Sequence, residues 1–302
     1  MLKRIFWFVL TNIAFMVTIG LVLSGISFLF PNLIDMNAVG NNKNIMNIFI
    51  YAGIVGFISA FISLVLSKPI AKWTTGTIVI DSNTTNEMER FLLTKVQQQA
   101  IKLGFKMPEV GIYQDNTPNA FATGMTKNSS LVSFSSGLLN NMNYDEIEGV
   151  IAHEMSHIEN GDMVTLTLIQ GVVNTFVIAI SRILTNLAKN TDNSFINNPI
   201  SLLLINMGLQ IFLGLLTTPI VAYFSRLREY RADAGAANLV GNYKMIAALS
   251  KLKTMSDVIT QQGKLEQSSA MAASGITENG ISGWKELFST HPSLDKRIEA
   301  LK

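Results

Sequence analysis

Two stretches of this 302-residue chain run without a charged side chain for long enough to cross a bilayer, and they limit what it can fold into. Ile5 to Phe30 is a run of 26 uncharged residues behind Lys3 and Arg4, and Met46 to Ser67 is a run of 22 ahead of Lys68 and Pro69. A helix rises about 1.5 Å per residue, so roughly 20 apolar residues span the ~30 Å hydrocarbon core. A secretory signal is the competing reading of the first run, but its apolar core is shorter and a small-residue cleavage site follows it. The linker from Pro31 to Ile45 has one aspartate and one lysine, whereas the outer flanks hold Lys3, Arg4, Lys68 and Lys72. Basic residues mark the cytoplasmic side, so the amino terminus and the chain after residue 68 are expected there.

Two later runs are also uncharged. Met163 to Ser181 includes Thr165, Thr167, Gln170 and Asn174, and Phe195 to Ser225 includes Pro199 and Pro219, with a loop bearing Arg182, Lys189 and Asp192 expected between them. Any group after residue 225 that works with one before residue 163 must return to the same side, so this segment crosses twice or not at all. The reading adopted is a hairpin that crosses twice. The expected organisation is two spans in 1–68, a soluble part in 69–162, a membrane hairpin in 163–225 and a second soluble part in 226–302. In class this is an α+β, predominantly helical integral membrane protein with about four transmembrane helices. Charged residues make up only 15% of the chain, against about a quarter in soluble proteins, which agrees. The net charge of +2 is small and scattered, which sets aside a nucleic-acid groove. The chain has no cysteine, so disulfides and thiolate metal sites are excluded and a reducing compartment fits.

The soluble part carries the chemistry. His153, Glu154 and His157 form a His-Glu-x-x-His run, and only three histidines occur in the chain. Four residues advance a helix by about 6 Å and turn it ~40° past a full turn, so both imidazoles leave one face and can converge on one ion. A zinc ion so held lowers the pKa of bound water from about 15.7 to around 7, and the adjacent carboxylate of Glu154 can take the proton. The implied chemistry is amide hydrolysis. The plainer reading is a helix on which these three groups merely share a surface. Against it stands a well-marked helix: Asn143 and Glu146 make a capping-box pair, Asn160 and Gly161 a stop, and Val150, Ile151, Met155 and Ile158 an apolar side.

Around this run the pattern predicts a helix over 85–103 ended by Gly104, a strand over 110–113, and two strands over 119–124 and 131–135. The 119–124 strand has two readings: an edge that holds an extended peptide by backbone pairing, or a hairpin that only completes the core. Ser225 to Asp233 reads first as a basic juxtamembrane helix; in it Glu229 is a candidate third ligand and Asp233 a candidate acceptor behind a ligating histidine. An amphipathic helix is expected over 242–254, and 262–283, rich in Gln, Ser, Ala and Gly, is expected to be a low-complexity mobile cover. His291, just before Pro292, reads by itself as a loop residue.

Taken together, the amino-terminal hydrophobic pair, Asn119 to Gly124, His153 to His157 followed by Asn160, Gly161 and Asp162, Ser225 to Asp233, and Thr290 to Ser293 resemble the HtpX family of membrane-integrated zinc endopeptidases, bacterial relatives of the CAAX prenyl proteases. The resemblance runs over nearly the whole chain. It implies a gluzincin-type, zincin-like domain facing the cytoplasm from the bacterial inner membrane, one zinc ion held by His153, His157 and Glu229, and Glu154 as general base. It implies Asp233 as support behind a ligand, His291 and Arg297 as stabilisers of the oxyanion, and Asn119, Ala120, Phe121, Ala122, Thr123 and Gly124 as the substrate-binding edge strand. The implied partners are polypeptides, damaged or misassembled membrane proteins above all, and the lipid bilayer, with no nucleic acid. Two other classes are weighed against this. In a non-catalytic membrane scaffold zinc would staple the soluble part, and such sites usually have four protein ligands. In a transporter ionisable groups would line the spans, and none does.

Overall fold

The computed structural model describes residues 45–189, 196–271 and 289–302. The span expected over Ile5 to Phe30 lies outside the described residues. In order the elements are α1 (Ile45–Thr75), β1 (Ile78–Val79), α2 (Glu87–Leu103), β2 (Glu109–Tyr113), β3 (Ala120–Thr126), β4 (Ser129–Ser135), α3 (Ser136–Asn141), α4 (Tyr144–Asn160), α5 (Asp162–Lys189), α6 (Pro199–Val240), α7 (Asn242–Met271) and α8 (Leu294–Ala300). Among the described residues three helices are long and apolar enough to cross a membrane: α1, α5 and α6. The chain divides into two compact units, one taking in the chain up to Ser63 with Thr167–Thr218, the other Leu64–Leu166 with Pro219–Lys302.

In the first unit, α1 and α5 cross at small residues. A Cβ added at Gly56 would lie 2.7 Å from Thr175 Oγ1 and 2.9 Å from the carbonyl oxygen of Gly171. Close backbone approach of this kind is how helices gain contact where lipid is as apolar as leucine. Ile48, Ala52 and Ala179 are buried at this crossing, with Phe49 edge-on to Phe176. Phe57, Phe61, Leu203, Ile211 and Leu215 remain exposed, as lipid-facing side chains are. The region 182–189, expected as a loop, is the last two turns of α5. A charged side chain ends an uncharged run but does not end a helix, and α5 continues through Arg182 to Lys189.

The second unit is built on a four-stranded sheet in the order β1-β2-β4-β3. β2 and β4 are parallel, and β3 pairs antiparallel with β4 as the outer strand, with Gly124 at φ 139 beside a register shift. β1 had no counterpart in the sequence pattern, for two residues carry no period. α2 and α4 pack on the sheet through Leu92, Val96, Val132, Phe134, Ile147, Ile151 and Met155. α2 is capped by Asn86, whose side chain accepts from the Glu89 N–H, and stopped by Gly104 at φ 73. α7 is longer than the 242–254 expected, and of the presumed 262–283 cover residues 262–271 are helical while 272–283 lie outside the described residues.

Candidate metal and active site

α4 sets the geometry. Its amino end is the capping box expected, with Asn143 accepting from the Glu146 N–H and Glu146 accepting from the Asn143 N–H. Its carboxyl end is Gly161 at φ 66, a left-handed conformation in which only glycine is unstrained. Between these ends the helix is largely buried, so His153 and His157 project one turn apart into the protein. Their Nε2 atoms lie 3.2 Å apart, with ring centroids 4.6 Å apart at 83°. α6 brings the third group: Glu229 Oε2 is 3.4 Å from His153 Nε2, and Oε1 is 3.4 Å from His157 Nε2.

Small residues allow α6 to come this close. Ala152 on α4 shares a buried cluster with Ala236 on α6, and a Cβ at Gly235 would stand 2.8 Å from Ser156 Oγ. Asp233, one turn beyond Glu229, accepts from His153 Nδ1 at 2.9 Å. Asp162, the first residue of α5, lies 2.7 Å from His157 Nδ1. The side chain of Arg297 on α8 forks onto Asp233, Nε to Oδ2 at 2.8 Å and Nη2 to Oδ1 at 2.7 Å, and its Nη1 lies 3.3 Å from Glu229 Oε2. His291 Nδ1 is 3.0 Å from that same oxygen, its side chain 65% exposed.

These distances fit a cation. With the Nδ1 protons given to Asp162 and Asp233, the two Nε2 lone pairs face each other and the Glu229 carboxylate, so three acceptors converge on one point. A tetrahedral ion with bonds of about 2.0–2.1 Å sets its ligand atoms about 3.3 Å apart. The observed 3.2, 3.4 and 3.4 Å match. Glu229 Oε2 is buried and, although near His291 and Arg297, has no well-aligned hydrogen bond. Burial disfavours the charged form of His157, but Asp162 and Glu229 outweigh it and push the imidazole up to about 10 in the ion-free protein. His153 is raised likewise, by Asp233 and Glu229 against its burial. The site is a buried negative potential that a proton or a metal ion can fill. Among the described residues His153, His157 and Glu229 are the group able to hold one.

A cavity of about 470 Å³ opens on the cluster. His153, Glu154, Glu229, His291 and Arg297 form one end of it, and Asn119 and Ala120 at the start of β3 form part of its rim. The remainder of the expected edge strand, Phe121 to Gly124, runs along the outer side of the sheet. Sequence reasoning gave Asp162 no role. Its only signal is an acid just past the glycine that ends α4, and periodicity stops there. It also passed over the α7 residues Met245, Leu249, Leu252 and Met255, which wall the cavity.

Residues 86–302 match the model of peptidase family M48. A protease HtpX homologue of Neisseria meningitidis is 48% identical over 302 residues, covering 100% of this chain and 99% of that one. Protease HtpX of Sodalis glossinidius is 46% identical over 308 residues, and that of Shewanella loihica 45% over 307, each covering 100% of this chain. The crystal structure of S. mikatae Ste24p aligns with a TM-score of 0.61 at 18% identity, covering 97% of this chain and 66% of its own, a likeness of fold. Full-length identity near one half, a family match over residues 86–302 and a buried His-His-Glu cluster agree: the chain belongs to peptidase family M48 and is a metalloprotease held in a membrane.

Proposed function

We propose that this chain is a zinc-dependent endopeptidase of the bacterial cytoplasmic membrane that cleaves damaged or misassembled membrane proteins at a site facing the cytoplasm. The observation that carries it is the convergence of two imidazole nitrogens and one carboxylate within 3.2–3.4 Å beside Glu154, in the wall of an open cavity. Two nitrogens and one oxygen at tetrahedral spacing, in a chain without thiols, suit zinc with one position left for solvent. When bound, zinc supplies a Lewis acid that polarises the scissile carbonyl and acidifies water.

The residues divide the remaining work. His153, His157 and Glu229 hold the ion, and Asp233 and Asp162 keep both imidazoles in the tautomer that offers Nε2. Glu154 accepts the proton of the attacking water and passes it to the leaving amine. His291, exposed at the cavity and 3.0 Å from Glu229, donates to the developing oxyanion. With Nε and Nη2 of Arg297 taken up by Asp233, the part we assign to Arg297 is to hold that carboxylate against His153. The open edge of β3, from Asn119 to Gly124, takes the substrate backbone as an added strand. A scaffold closed by structural zinc is the weaker reading, since three protein ligands and a cavity leave the site open. The test is Glu154→Gln: zinc stays at one per chain and hydrolysis of an unfolded polypeptide falls by about 10²–10⁴-fold. Undiminished cleavage would remove Glu154 as the base.

A further inference from the structure

We propose that the cavity beyond the metal cluster is a specificity pocket for one large apolar side chain of the substrate, at the residue flanking the cleaved bond, and that one face of α7 forms its wall. The proposal rests on the peptidase reading and adds the substrate class. Met245, Leu249, Leu252 and Met255 follow one another at steps of four, three and three along α7, which places them on a single helical face. That face lines the cavity together with Leu138 and Val150.

The cavity is polarised. Every titratable group in its wall is a metal-cluster residue or is assigned to the reacting centre beside it: His153, Glu154, Glu229, His291 and Arg297. Met245 and Leu249 are buried, while Leu252 and Met255, which also line the cavity, keep partial exposure and have surface to offer an incoming group. A substrate carboxylate against the α7 wall would have no cationic partner among the residues there, and the Arg297 fork is already engaged by Asp233. Burying an unpaired charge is costly, so acidic residues are rejected and apolar ones gain their transfer free energy. Methionine adapts its shape, so the two in the wall favour tolerance among leucine, methionine and phenylalanine.

The wall is also fixed in place. A Cβ at Gly149 would stand 2.6 Å from the Lys244 carbonyl oxygen, so α7 begins flush against α4, one turn before His153. Lys244 then pairs with Glu148 at 2.7 Å and with Asp145 at 2.9 Å, and Lys95 on α2 reaches Glu148 at 3.0 Å. The pocket is thereby held at a set distance from the reacting centre. Large apolar side chains are mostly buried in folded proteins. A pocket that demands one therefore selects segments whose structure has been lost.

The experiment uses the full chain, zinc-loaded in detergent micelles, with quenched fluorogenic peptides that differ at one residue: Leu, Met, Phe, Gly, Glu or Lys. Mass spectrometry locates the cut. The expected result is cleavage beside the variable residue, with kcat/KM for Leu, Met and Phe about 10–100-fold above Gly and with Glu lowest. Met255→Lys should raise the Glu peptide relative to the Leu peptide by about tenfold or more at unchanged zinc content. Should Met255→Lys not fold, Leu252→Ala serves, widening the pocket and moving the preference toward Trp. A flat parent profile, or variants that cleave with the parent's preference, overturns the pocket and leaves the peptidase reading standing. Failure of the zinc-loaded parent to cut any peptide or an unfolded protein overturns both.

Discussion

At the scale of single residues, the two histidines are set by the acids behind them. Asp162 lies 2.7 Å from His157 Nδ1, and an orienting acceptor of this kind typically contributes 10–100-fold in metal affinity. Asp162→Asn is expected to weaken zinc by that factor with Glu154 untouched; a chelator competition titration measures it, and unchanged affinity would mean that the carboxylate does not orient the ring. The charge state of His157 adds a pH dependence. Its folded pKa is raised from 6.5 to about 10, so the ion-free protein is protonated there at neutral pH and an incoming ion must expel the proton. Apparent zinc affinity should therefore rise with pH between about 7 and 9, and calorimetry in buffers of different ionisation enthalpy should record proton release on binding. The sign for stability is the reverse in the ion-free form. A raised pKa stabilises the fold fully below 6.5 and ceases to do so as pH rises through about 10. Melting of the metal-free protein should drop over that window, and that of the loaded protein should not show this term.

At the scale of elements, the site depends on how closely two helices approach. Gly235→Val puts side-chain atoms where Ser156 Oγ already lies within 2.8 Å of a bare Cβ, so α6 must move away from α4 and carry Glu229 with it. Overpacking of this kind costs about 1–3 kcal/mol. The expected outcome is a lower melting temperature together with loss of zinc, and a variant that binds zinc as the parent does would show that α6 can yield without displacing Glu229. Elements of this kind differ in how legible they are in a sequence. α4 could be read at both ends because its stop and start are local chemistry: Asn143 with Glu146, and a glycine forced to positive φ. His153 and His157 were legible for the same reason, being one turn apart. Glu229 was not placed by spacing, since the 71 residues between it and His157 fix no distance; the family resemblance supplied it. Asp162 was missed because it sits past the helix stop, where its closeness to His157 follows from the turn of the chain at Gly161. The helical conformation of 262–271, within the stretch expected to be a low-complexity cover, was not legible because it lacks apolar periodicity, yet Gln, Lys, Leu, Glu and Ala are good helix formers and they prevail there.

At the scale of the whole molecule, the membrane helices and the site share the same pieces of backbone. α5 begins at Asp162, which lies against His157, and α6, which runs from Pro199 to Val240, carries Glu229. Roughly 20 apolar residues suffice to span a bilayer and α6 has 42, so on the proposed reading one helix both crosses and supplies a ligand. This requires Asp162 and Glu229 to lie on one side, and the turn before α6 to lie on the other. Because the chain has no cysteine, the arrangement can be read with single introduced thiols. Lys127→Cys lies in the exposed β3–β4 turn and Asn198→Cys in the exposed turn that precedes α6. On the proposed orientation, which puts Lys68 and Lys72 in the cytoplasm, an impermeant maleimide applied to the outer face of the membrane should label the thiol at 198 and spare that at 127, and inverted vesicles should give the opposite result. Labelling of both from one face would mean that α5 and α6 do not cross, and the apolar surface of Leu203, Ile211 and Leu215 would then need a cover other than lipid.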